Sequence, residues 1–149
     1  MKNKTMKNLF PILLVALTLT SFRNTKPTTF ETKILGIWMD GNCELKDDAA
    51  CLKKVKSFKE DNSGFQFKKG GKLVRRQNTG KCATPPISYG NYAGTWKKTG
   101  SMTLTIKYKY FAGTIEEDWK IVEVSDKKLI FKVQDTRRIS NKEIQTVKN

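Results

Sequence analysis

"YAGTWKKTGSMTLTIKYKY", residues 92–110, reads as strand, tight turn, strand. Over 102–110, Met102, Leu104, Ile106, Tyr108 and Tyr110 share one parity, and Thr103, Thr105, Lys107 and Lys109 the other. Successive side chains of a strand point to opposite faces, so this period puts aromatics on one side of a sheet and lysines on the other. On the preceding strand Tyr92 and Trp96 lie on one side, with Gly94 between them. The stretch is therefore expected to be a hairpin with an apolar inner face and a basic outer one.

The same grammar extends in both directions. "ILGIWMDG" (34–41) reads as a first strand, "KSFKE" (56–60) as a candidate strand and "FQFKK" as another. "KGGK" (69–72) is a hairpin turn, because paired glycines accept the positive φ that tight turns need. "KLVRRQN" returns from it, with Leu73 between basic neighbours. "IEEDWKIVEV", a turn at "SDKK" (125–128) and "KLIFKVQDTRRI" complete the series. Phe65 aligns with Phe67, Trp119 with Ile121, and Leu129 with Phe131 and Val133. Acids before lysines in "DDAACLKKV" suit a helix dipole and predict a short helix over 46–54. "TGKCATPPISYGN" (79–91) is a long loop whose Pro-Pro pair forbids regular pairing.

Consecutive strands with short connections must be antiparallel neighbours. A long meander exposes two edges unless it closes on itself. The expected fold is thus all-β, an antiparallel up-and-down barrel of about eight strands, an interior wide enough either to be packed with side chains or to hold one small ligand.

The N-terminus reads differently. "MKNKTMK" is basic, "LFPILLVALTL" (9–19) is apolar but too short to span a bilayer, and small residues follow. Residues 1–21 are expected to be a signal peptide, 22–33 a polar arm and 34–149 the barrel domain. With no cysteine near the end of the apolar run, a lipid anchor is not expected, and the mature chain should be periplasmic or secreted and not membrane-spanning. Losing Lys2, Lys4 and Lys7 takes the formal charge from +15 to +12. The lysines are spread along the chain, as for a solvated exterior.

Composition excludes several chemistries. There is no histidine, so Ser/His or Cys/His catalysis and Cys/His zinc binding are not expected, and neither a cofactor nor an enzyme activity is expected. Nucleic acid is not an expected partner, since period two separates the aromatics from the charges. Of Cys43, Cys51 and Cys82, an oxidising compartment favours one disulfide; Cys43 with Cys51 closes the shortest loop, and pairings with Cys82 stay open. Glu117 shares the face of Trp119 and Ile121, so it is either a ligand-orienting group inside the barrel or a polar rim residue.

"LGIW" (35–38) and "AGTW" (93–96) repeat a Gly-x-Trp pattern on strands. Together with "GFQFKKGGKL", "PPISYGNYAGTWKK", "LTI" and "KLIFKV" in that order, the chain over 34–136 resembles the small exported lipocalin-like proteins of Bacteroidetes. The resemblance implies a calyx-type barrel for a small hydrophobic or amphipathic ligand, with the signature tryptophan plugging the closed end. The chain departs from the pattern around Trp38, for which Arg137 or Arg138 is the available arginine on the last strand. The candidate lining is Trp38, Phe65, Phe67, Trp96, Leu104, Ile106, Tyr108, Trp119 and Phe131, the same side chains that would fill a solid core. In that second case the barrel is a scaffold for protein recognition through the 79–91 loop, for example as an inhibitor of an extracytoplasmic enzyme.

Overall fold

The computed structural model describes residues 29–41, 48–80 and 87–140. The proposed signal peptide, most of the arm, Cys43, Cys82 and the tail from 141 lie outside the described residues. Eight strands close into an antiparallel barrel: β1 (Gly36–Asp40), β2 (Ala50–Val55), β3 (Gly64–Phe67), β4 (Lys72–Asn78), β5 (Tyr89–Lys98), β6 (Thr103–Tyr110), β7 (Gly113–Val124) and β8 (Lys128–Ser140). From β3 to β8 the chain is the expected meander, with consecutive strands paired side by side.

The first strands depart from strict up-and-down order. β1 sits between β2 and β3 and pairs antiparallel with both. The chain leaving β2 therefore crosses β1 before entering β3. Residues 56–63 make this crossing, so "KSFKE" is a strap and not a strand. Met39, on the outward parity of β1, is buried (2% exposed), and its sulfur accepts the Lys59 backbone N–H at 3.3 Å. Arg76 pins the strap by donating to Lys59 O (3.0 Å) and Glu60 O (2.9 Å).

Helical structure also falls elsewhere than the charge pattern suggested. Residues 50–55 form β2, because Ala50, Cys51, Leu52 and Lys53 are claimed by β8 on one side while β1 claims 52–55 on the other. A weak dipole preference loses to two ladders of backbone hydrogen bonds. The helix observed is α1 (Thr29–Ile34), inside the stretch that reads as an arm, directly before β1. Phe30 and Ile34, one turn apart, are buried in the barrel's core cluster. Gly36 follows at φ 126°, a backbone region a side chain rarely adopts, and turns the chain from helix into strand. At "KGGK" both glycines take φ 73° in a short 3-10 turn, as the paired glycines predicted.

The helix end of the barrel thus holds α1, the 3-10 turn, and the β5–β6 and β7–β8 turns. The opposite end holds the last residues of β1 and β4, the first residues of β2 and β5, and the β6–β7 turn. Among the described residues no helix is long and apolar enough to cross a membrane.

Candidate functional site

All nine lining candidates converge on one buried cluster. Trp38 is fully buried, and its indole N–H donates to Ile34 O at 2.7 Å, tying α1 to the barrel. The cation over its ring is Lys54 of β2, 5.0 Å from the centroid; Arg137 is instead engaged with Asp118 and Glu116, at 2.8 and 3.0 Å. Lys54 is the residue directly across from Trp38 in the ladder, so register, not the last strand, supplies that partner. Trp119 stacks on Phe131 at 3.7 Å, Phe65 meets Trp119 edge-on at 4.9 Å, and Phe67 meets Trp96 at 5.8 Å. With Leu104, Ile106 and Leu129 these rings form a mutually packed core, each large side chain stabilising the fold by about 2 kcal/mol through burial. Two sequence assignments shift outward: Met102 lies in the β5–β6 turn and is exposed, and Val133 is 46% exposed. Val133 pairs with Trp119, but β2 begins opposite Phe131 and gives it no cover.

One group of inward residues is not apolar. The alternation that buries Leu73 on β4 continues to Arg75. On β6 it runs from Leu104 to Tyr108, and on β7 it runs from Trp119 back to Glu117 and Ile115. Glu117 is therefore on the inner face, and its carboxylate accepts from Tyr108 Oη (3.1 Å) and from Trp119 Nε1 (2.8 Å). The Arg75 guanidinium lies over Phe65 at 4.1 Å and 5.9 Å from the Tyr108 ring, and donates through Nη1 to Gly64 O at 3.2 Å. Its Nε is buried and has no acceptor among the described residues.

Gly94 explains how β4 and β6 meet. It stands on β5 between Leu73 and Tyr108, and a Cβ there would lie 2.4 Å from Lys107 O and 2.9 Å from Tyr108 Cβ. The bare glycine lets β6 pack close and leaves space for Arg75 to reach Tyr108 across the intervening strand.

Burial, then the Glu117 carboxylate, push the Tyr108 hydroxyl far above the usual tyrosine value, so it is a neutral donor. Burial lowers the Arg75 guanidinium from its ordinary value, with Tyr108, Asp40 and Glu117 opposing. A guanidinium nevertheless stays protonated in proteins. The result is a relay in which Trp119 and Tyr108 both donate to Glu117, with Arg75 alongside, set between the aromatic core and the end opposite α1. Around it Tyr92, Tyr110 and Ile115 are half-buried, and Ile87 and Phe111 are exposed at that end.

The outer face of the same strands is a different environment. Lys107 and Arg137 both engage Glu116, at 3.3 and 3.0 Å, and Arg137 also reaches Asp118. These are solvated pairs on a sheet surface. No cluster of metal-ligating side chains occurs among the described residues. Of the inner relay, Tyr108 and Trp119 were legible from sequence, and for Glu117 the face but not the engagement; Arg75 was not, although it shares Leu73's parity. Family models, curated proteins and solved structures yield no match to this chain.

Proposed function

We propose that this protein is an exported, non-enzymatic, lipocalin-like barrel that binds a small amphipathic molecule at the end opposite α1. The observation carrying this reading is the inward Arg75–Tyr108–Glu117–Trp119 relay. Arg75 and Glu117 are half-buried, and drawing charge partly out of water carries a cost that an all-apolar filling avoids. Ionisable side chains therefore belong where a polar ligand group is received. Exposed Ile87 and Phe111 supply an apolar lip for the rest of such a molecule. The packed aromatic half near α1 then acts as the floor and not as a deep calyx. Within this reading Cys51, buried on β2, is the constant member of one disulfide, with Cys43 as its partner; peptide mapping without reductant would show Cys82 instead if that pairing is wrong.

Titration of the mature chain with a neutral lipophilic fluorophore, reading tryptophan emission, tests the function. A saturable one-to-one response that perturbs Trp119 is expected. A flat response to both neutral and charged amphiphiles would leave the scaffold reading, in which a protein is recognised by the 79–91 stretch, whose last residues, Tyr89, Gly90 and Asn91, belong to β5 and not to a loop. That alternative draws on the packed aromatic core.

A further inference from the structure

Resting on the reading of this end as a ligand site, we infer that the ligand is an amphipathic monoanion and that Arg75 selects its charge. Asp40 and Glu117 act on Arg75 through space, and neither closes an ion pair with it. Among the described residues it has no carboxylate at ion-pairing distance; its hydrogen bond goes to a backbone carbonyl, and two aromatic faces flank it. Two acids stand on this side, Asp40 two residues beyond Trp38 on β1 and Glu117 on β7, and both oxygens of Glu117 already hold donors, one on Tyr108 and one on Trp119. The carboxylate thus fixes the tyrosine and the indole and leaves the guanidinium with an unused Nε–H.

Such a group is costly by itself. A buried donor without an acceptor forfeits the hydrogen bond it had to water, and the loss is greater when the group is charged. An anionic oxygen arriving beside Tyr108 removes that deficit and gains a charge-assisted bond, so the site is set to favour an anion over a neutral group of the same shape. Arg138 adds to the same bias. It pairs with Ile115, is exposed, and follows the inner-face parity of β7 into the same end of the barrel. The outer cations differ, since Lys107 and Arg137 already hold carboxylates. Ile115, on the inner parity of β7 and paired with Tyr108 on one side and Arg138 on the other, offers an apolar surface for the body of such a molecule.

Isothermal titration of the mature chain with dodecanoate, dodecan-1-ol and dodecylamine, all below micellar concentrations, tests this. Dodecanoate is expected to bind one-to-one, with the alcohol and the amine weaker by about 10- to 100-fold, the value of one charge-assisted hydrogen bond. Arg75→Met and Arg75→Gln should lose that preference, and Arg75→Lys should keep part of it, with circular dichroism confirming that each variant is folded. Equal binding of dodecanoate and dodecanol, unchanged by Arg75→Met, would overturn the inference and leave the site standing. Binding of none of the three would remove the site itself. Dodecanoate binding that survives Arg75→Met and is abolished by salt would assign it to the basic exterior, and the inference would fail.

Discussion

Replacing Glu117 by glutamine tests whether the inner relay is a buried network or a solvated rim. The carboxylate accepts two hydrogen bonds, 3.1 Å from Tyr108 Oη and 2.8 Å from Trp119 Nε1. A glutamine offers one oxygen and one amino group. If the oxygen stays with the indole, the amino group faces the tyrosine hydroxyl, which can accept it but is left with its own hydrogen unplaced. One charge-assisted bond is lost and one donor is stranded, at a cost of about 2 kcal/mol. For a domain of this size that lowers Tm by roughly 5–10 °C. Tyr108→Phe alone should cost about 1 kcal/mol, since it leaves one oxygen of the carboxylate without a donor. In the Glu117→Gln background the same change should cost almost nothing, because it removes the stranded hydroxyl. Urea unfolding followed by tryptophan emission measures all four corners of the cycle, and a coupling of about 1 kcal/mol is expected. A Glu117→Gln protein within about 0.5 kcal/mol of the parent, additive with Tyr108→Phe, is what surface changes give and would refute the buried relay.

Two further outcomes follow from the same geometry. Gly94→Ala places a methyl group 2.4 Å from a backbone oxygen and 2.9 Å from Tyr108 Cβ, so β5 and β6 must separate; a loss of about 2 kcal/mol and altered near-ultraviolet dichroism are expected, and an unchanged thermal midpoint would refute the close packing. The raised Tyr108 value makes stability pH-dependent on the alkaline side: the folded form holds its proton above the unfolded value of about 10, so the contribution is whole below that pH and declines as pH rises beyond it. Tyrosinate absorbance should show one tyrosine withheld until unfolding, and Tyr108→Phe should abolish that late component while leaving the rest.

The hairpin 92–110 was readable without coordinates because a solvated sheet with one buried face imposes period two on its residues. That same period put Trp96, Leu104, Ile106 and Tyr108 inside and Lys107 outside, and the structure agrees. The Gly70–Gly71 turn was equally local, since positive φ at consecutive positions is a property of glycine itself. The helix was misplaced for the converse reason: residues 50–55 carry a weak local preference, and their state is settled by partners on two other strands. The position of β1 between β2 and β3 is likewise a pairing decision, made by residues far apart in the chain.

Arg75 marks the boundary between the two kinds of information. In "KLVRRQN" nothing local separates it from Arg76. By itself the sequence determined a closed antiparallel barrel with aromatics within and lysines without, because alternation and turn chemistry are written residue by residue. The tertiary structure alone decided that Arg76 clamps the outer strap while Arg75 turns into the core beside Tyr108. That choice depends on the bare face of Gly94 and on two donors that occupy Glu117, and strand pairing across the barrel is what brings those groups together.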